Sequence, residues 1–313
     1  MADHLTTEPR TGEIYDVAVI GGGPGGLNAA LVLGRSRRRT LVVDAGGGRN
    51  AAATAVHGLI GAEGISPTDL RKVAREQLDH YPDVRVHDGR VDAVTGELDR
   101  FELLVDGEEV AARRVVLATG ITEDLPDVAG VRERWGRGVL GCPYCHAWEY
   151  RDQPLAVLGG DDADCDFAVQ LSRWSSDVVL CTGGREDLAR ERRAALGRRG
   201  VRVRAERVER VEGPDGTVEN VVFDTGERLA CTAVFLHART RQASELPQLL
   251  GCAVLDDDSV RVDEHGRTDV PGVYAVGDMA RRAEAPSGFA FVATAAAAGF
   301  VTATAVDHDL FAS

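Results

Sequence analysis

The chain has 313 residues, 44% of them hydrophobic, enough for two domains with ordinary cores. A net charge of −14 argues against nucleic acid or an anionic membrane surface as the main partner. No apolar run approaches the roughly 18 residues that span a bilayer, and residues 1–13 lack the apolar stretch of a secretion signal, so a cytoplasmic location is expected.

Residues 15–20 form a short apolar, β-branched run that predicts a buried parallel strand. The loop Gly21-Gly22-Gly23-Pro24-Gly25-Gly26 follows, and residues 27–33 read as a helix. Gly21, Gly23 and Gly26 fit G-x-G-x-x-G, where each missing Cβ lets the backbone turn sharply, near a pyrophosphate, or touch the strand. The helix N-terminus then offers free N–H groups and partial positive charge to the phosphates. A second strand over residues 40–43 ends in Asp44, a carboxylate able to accept ribose hydroxyls. Strand, loop, helix, strand and acid in register predict a dinucleotide site.

The loop holding Arg49, Asn50 and His57 has no assignable pattern; Asn50 and His57 either reach a bound cofactor or sit on a surface loop. Residues 67–81 predict a helix. Residues 84–87, 90–95, 101–105 and 108–111 predict short strands, with Asp106-Gly107 as a hairpin turn. Residues 114–117 predict another, ending at Ala118-Thr119-Gly120. Residues 154–158, Gly159-Gly160, a helix to residue 174 and a strand at 177–181 repeat the βαβ pattern. After a charged helix over 185–200, residues 201–204, 208–212, 220–223 and 228–230 predict an antiparallel sheet. Residues 232–237 predict a strand returning to the first domain. Residues 270–278 predict a strand ending in Gly277-Asp278, a pair common in turns whose carboxylate can also bind a ribityl hydroxyl. Residues 291–306 predict a helix.

Between the two βαβ units lies Cys142-Pro143-Tyr144-Cys145-His146. Two cysteines at this spacing close and reopen a small disulfide, and the thiolate is the reactive form. The alternative, half of a zinc site, needs a second ligand pair; Cys165, Cys181, Cys231 and Cys252 stand singly, and no metal is expected. In a cytoplasmic protein such a pair points to catalysis rather than a structural staple. His146 is either the base that deprotonates a thiol or a group that orients the turn through a hydrogen bond. Tyr144 and Trp148 either pack on a substrate or fill space beside the disulfide.

The glycine loop, Ala118-Thr119-Gly120, the CxxC, and Gly272 followed by Gly277-Asp278 occur in an order that resembles the low-molecular-weight thioredoxin reductases over about the whole chain. That resemblance implies an α/β fold of two Rossmann-like, three-layer ββα domains of the thioredoxin reductase or pyridine nucleotide-disulfide oxidoreductase type, assembled as a homodimer. FAD would occupy a discontinuous domain of residues 1–120 and 238–313, and an inserted domain of residues 121–237 would carry the CxxC. Carried over to this chain, Gly21, Gly23, Pro24, Gly26 and Asp44 hold the ADP half. Asn50, Thr119 and Gly120 flank the cofactor, and Gly277 and Asp278 hold the ribityl chain. Cys145 would be the sulfur nearest the flavin and Cys142 the one that exchanges with substrate. His146 stands where the reductases carry an acidic proton donor.

The second nucleotide loop departs from that family. Where reductases carry G-x-G-x-x-A, this chain has Leu158, Gly160 and Ala163; where they carry His-Arg-Arg, it has Thr182, Gly183 and Gly184. Their Arg-Gln-Ala near the start of the last helix is replaced by Val292-Ala293-Thr294. A leucine obstructs a pyrophosphate, and losing two guanidinium forks removes the bidentate contacts of a 2′-phosphate. The insert is therefore expected to be a degenerate NAD(P)H domain, with electrons entering from a small dithiol and leaving to O2 as H2O2. The combined pattern resembles the thioredoxin-reductase-like dithiol oxidases of natural-product antibiotic pathways, which close disulfides in gliotoxin, holomycin and other dithiolopyrrolones. An NADPH-dependent thioredoxin-disulfide reductase and a non-catalytic flavoprotein redox sensor are the alternatives.

Overall fold

The computed structural model describes residues 13–185 and 187–312; the polar N-terminal stretch read above lies outside them except for Glu13. Strand β1 (Ile14–Ile20) leads into α1 (Pro24–Arg35) and β2 (Thr40–Asp44), every residue of β2 being buried. Helix α2 (Pro67–Leu78) and β3 (Val84–Asp88) follow, and β1, β2 and β3 pair in parallel. Strands covered on both faces must be apolar throughout, which explains the unbroken apolar runs at 17–20 and 41–43. Strands β4 (Val91–Glu97), β5 (Arg100–Val105) and β6 (Glu108–Leu117) form an antiparallel meander. Asp106 and Gly107 take φ of 49° and 88°, the left-handed pair that a two-residue hairpin requires.

The chain continues through β7 (Ile121–Asp124), α3 (Val131–Arg134), β8 (Val139–Leu140) and α4 (Pro143–His146). Next come β9 (Leu155–Leu158), α5 (Asp162–Leu171), β10 (Val178–Cys181), α6 (Arg190–Arg198) and β11 (Arg202–Arg204). Strands β12 (Val208–Glu212), β13 (Asn220–Phe223) and β14 (Arg228–Ala230) form an antiparallel sheet, followed by β15 (Ala233–Leu236). The last stretch holds β16 (Arg239–Gln242), α7 (Leu246–Leu249), β17 (Val260–Arg261), β18 (Val273–Ala275), a 3-10 turn at Gly277–Met279, β19 (Ala280–Arg281) and α8 (Val292–Ala312).

Two compact units are distinguished: one of residues up to Arg49, Pro67–Thr122 and those from Thr240 on, the other of Asn50–Ser66 and Glu123–Arg239. The first is built on a mixed sheet in the order β3-β2-β1-β6-β5-β4, parallel from β3 to β6 and antiparallel from β6 to β4, with β18 also parallel on β6; the second is built on a parallel sheet in the order β11-β10-β9-β15-β8.

Several local expectations change. The two strands read at 108–111 and 114–117 are one strand, β6, which changes partner midway: residues 108–112 pair with β5 and residues 115–117 with β18. Strand β11 pairs in parallel with β10 rather than joining the antiparallel sheet. Strand β15 lies between β9 and β8 in the second unit instead of returning to the first domain; its four residues are buried, as an interior position demands. Residues 50–66, expected within the first domain, cluster with the second unit, where Ala52 packs on Gly136 and His57 meets Glu149. Helix α6 starts at Arg190, because Thr182 donates its hydroxyl to the Arg185 carbonyl and Gly184 bonds Ala205, closing a turn first.

Helix α8 is pinned near its C-terminus by Asp309, which accepts a bidentate pair from Arg267 at 2.8 and 2.9 Å and a hydrogen bond from the Tyr274 hydroxyl at 2.6 Å. A Cβ on Gly299 would stand 2.1 Å from the Gly25 carbonyl oxygen, so α8 rests directly on the start of α1. Among the described residues no helix is long and apolar enough to cross a membrane.

Candidate active site

In the first unit, β1 delivers the chain into a glycine cradle at the start of α1. Gly21 has φ 118°, and a Cβ there would lie 2.1 Å from the Ala118 carbonyl oxygen; one on Gly26 would lie 2.0 Å from the carbonyl oxygen of Gly21. These contacts are with backbone, which cannot swing aside. Around Gly23 no described atom comes within 4 Å of a Cβ, leaving open space at the head of the helix. No side chain among the described residues caps α1, its first turn holds no acid, and Pro24 has no N–H to satisfy. The cradle and its donors fit the pyrophosphate of a dinucleotide.

The other expected cofactor residues of this unit gather at the same place. Asp44 ends β2, and a Cβ on Gly22 would stand 2.0 Å from its Oδ2, a close approach that the G-x-G-x-x-G pattern does not mark. The Thr119 nitrogen lies 3.1 Å from the Cβ position of Gly21, and the Thr119 hydroxyl donates to the Met279 sulfur at 3.3 Å. Gly120 and Gly277 take φ of 74° and 78°, and the Gly277 nitrogen is 3.4 Å from a Cβ built on Gly25. Asp278 accepts from Arg49 Nη1 at 2.8 Å. Asn50 falls in the other unit, its carbonyl accepting from the Ala53 amide.

In the second unit, Cys142 and Cys145 are joined as a disulfide. Cys142 caps the short helix α4, and its sulfur accepts a hydrogen bond from the Cys145 amide at 3.1 Å, a donor that favours a thiolate once the bond is opened. A Cβ on Gly141 would lie 2.9 Å from the Trp135 ring, so the indole packs closely against the chain just before the disulfide. Tyr144 and Trp148 are 57% and 63% exposed, so neither fills space beside the disulfide. They stand one helical turn apart, with Tyr144 edge-on to Trp174 and the Arg151 guanidinium 4.3 Å above Trp148.

His146 follows the pair with both ring nitrogens buried and without a hydrogen-bond partner among the described residues. Burial first, and then the charge of His57, hold its pKa below the usual imidazole value, opposed by Glu149 and weakly by the Cys142 carbonyl. The ring of His57 stands edge-on to it, 6.5 Å away. His57 Nδ1 is 2.7 Å from Glu63, which also accepts from the Gly58 amide at 2.7 Å, and these bonds keep the Glu63 carboxyl below its usual range. The sequence raised His57 only as a loop candidate; Glu63 and Glu149 carried no signal, since nothing local ties them to His146.

At the second βαβ unit, the N-terminus of α5 is closed by its own side chains. Asp161 Oδ1 accepts from the Asp164 amide at 2.9 Å and Asp164 Oδ2 from the Asp161 amide at 3.0 Å, a reciprocal capping box, with Asp162 in the same turn. A Cβ on Gly159 would lie 2.2 Å from the Asp164 carboxylate, and one on Gly160 would lie 2.9 Å from the Arg185 side-chain stem. Burial pushes the Asp164 carboxyl above its usual pKa, while the Asp164 amide and side chain lower that of Asp161.

A family model described as pyridine nucleotide-disulphide oxidoreductase matches residues 15–299, and the chain belongs to that family, on its thioredoxin-reductase-like side. Thioredoxin reductase tcpT of Claviceps purpurea is 33% identical over 281 residues, 86% of this chain and 87% of that protein. An oxidoreductase from Agrobacterium tumefaciens superposes with a TM-score of 0.89 at 33% identity, covering 96% of this chain and 99% of the other. The crystal structure of HlmI gives 0.87 at 39% identity, covering 97% and 94%. The protein is thus an oxidoreductase, and since thioredoxin reductases are FAD-binding flavoproteins, FAD is its expected cofactor.

Proposed function

We propose that this protein is an FAD-dependent dithiol oxidase that closes an intramolecular disulfide in a small natural-product dithiol, a dithiolopyrrolone such as holomycin being the expected type. The reaction balances as R(SH)2 + O2 → RS2 + H2O2. The observation that carries this reading is the contrast between two helix N-termini. Helix α1 begins on glycine with no cap and no acid, whereas α5 begins on Asp161 with its leading amides engaged and Asp162 and Asp164 in its first turn. A pyrophosphate at α5 would lose its N–H donors and meet like charge, so nicotinamide binding there is disfavoured. Reducing equivalents are left to enter through sulfur.

His146 takes the proton of a substrate thiol, and the thiolate attacks the Cys142 sulfur, expelling Cys145 as thiolate. The second substrate thiolate then displaces Cys142, whose developing charge is met by the Cys145 amide. His57, held through Nδ1 by Glu63, stands edge-on to the His146 ring and adds positive charge beside it when protonated, which favours the neutral, proton-accepting form of His146. Gly21–Gly26 of the cradle, Asp44, Thr119, Gly120 and Asp278 would hold FAD, which would supply the two-electron redox chemistry linking the reduced pair to oxygen.

His146→Ala is expected to lower kcat/KM for dithiol oxidation by about 10² to 10³-fold with FAD retained. Because the imidazole titrates below its ordinary value of about 6.5, the base form persists into mild acid, and the acidic limb of the wild-type profile should fall below that pH. The limb should vanish in the variant; an unchanged profile removes His146 from the mechanism. Anaerobic stopped-flow tests the function itself. Reduced holomycin should bleach the flavin promptly and NADPH should not. Prompt bleaching by NADPH would establish the thioredoxin-disulfide reductase instead, and an absence of repeated turnover with any dithiol in air would leave a redox sensor.

A further inference from the structure

We propose that Arg71 and Arg75 of α2 are positioning residues of the cofactor site: through Asp44 they set the affinity for the adenosine half of FAD. The inference rests on FAD as the cofactor. Asp44 is 4% exposed and its carboxylate is already largely engaged. Oδ1 accepts from the Gly46 amide at 3.0 Å, and Oδ2 accepts from Arg71 Nη2 at 2.5 Å and Arg75 Nη2 at 3.0 Å. Of the roughly four lone-pair positions on a carboxylate, one remains, on Oδ1. A ribose hydroxyl therefore meets an acceptor whose orientation is fixed beforehand, and the ordering entropy of that side chain is not charged to binding.

Charge gives a second reason. Oδ2 lies against Gly22 of the phosphate-binding loop, so an uncompensated Asp44 would present like charge to an incoming pyrophosphate. Arg71 and Arg75 stand one turn apart on the same face of α2 and bring two positive charges to that carboxylate. Arg75 also pairs with Asp88, the residue opposite Asp44 at the end of β3, so the two acids and two arginines are formally neutral together.

The test uses the full chain stripped of flavin, titrated separately with FAD, with ADP as the adenosine half, and with FMN, which lacks that half. Arg71→Met should raise the Kd for FAD and for ADP by about 10-fold, the loss of a charged hydrogen bond acting at one remove, and leave FMN within about two-fold. Arg71→Lys keeps the charge without the fork and should recover most of the loss. If Arg71→Met does not fold, Arg75→Met and Arg71→Lys read the same FAD-to-FMN ratio. Unchanged FAD and ADP affinities, tighter FAD binding, or an equal loss for FMN would each overturn the proposal. A wild-type chain that binds neither FAD nor ADP would overturn the cofactor reading on which it rests.

Discussion

Cys142→Ser or Cys145→Ser should abolish dithiol oxidation, with turnover falling by more than about 10³-fold. One sulfur can neither be attacked as a disulfide nor resolve a mixed one, so no electron pair leaves the substrate. Nor can another thiol of the chain substitute. Cys165, Cys181, Cys231 and Cys252 are all buried, and desolvation raises each pKa, those of Cys181 and Cys231 to about 12. The control is flavin content: the pair belongs to the second unit and the glycine cradle to the first, so absorbance of the purified variants should match the wild type. Retained disulfide formation in either variant would refute the role given to the pair.

Gly21→Ala should unfold or strip the first unit. At φ 118° an L side chain is strained, and its Cβ would lie 2.1 Å from a carbonyl on β6's exit, where β1 and β6 are locked by paired backbone. Strain and overlap together are worth about 3 to 5 kcal/mol, a Tm loss on the order of 10 °C at this chain length, with the yellow colour gone. Gly23→Ala makes the contrast. Its φ is −78°, and a Cβ there touches nothing described, so thermal stability of the flavin-free chain should hold while FAD affinity falls. Equal losses of stability in both variants would show that the open space at Gly23 is not reserved for a ligand.

Local chemistry was legible in the sequence and distant packing was not. Gly21, Gly23, Gly26 and Asp44 lie within one βαβ stretch, and Cys142 and Cys145 within one helical turn, so spacing alone marked them as candidates, and the structure brings the first four to one cradle and joins the two cysteines. Gly22 and Gly299 escaped notice because what forbids their side chains, the Asp44 carboxylate and the Gly25 carbonyl, comes from elsewhere in the chain. The halves of β6 looked like two strands because its neighbour changes midway, which no periodicity encodes. His57 could not be matched to His146 since a loop of another segment carries it there. One signal was present and unread: Asp161 followed by Asp164 has the spacing of a capping box, and it explains the closed α5 more directly than the leucine at Leu158 does.

The hidden thiols bear on durability. The proposed reaction would release hydrogen peroxide at every cycle, an oxidant whose attack on sulfur begins from thiolate or an accessible thioether. Here the spare cysteines stay protonated in the interior, and the only methionine besides Met1 is the fully enclosed Met279. Self-inflicted wear during long catalysis should therefore concentrate on the working sulfurs, which cycle back, and spare the scaffold, which could not.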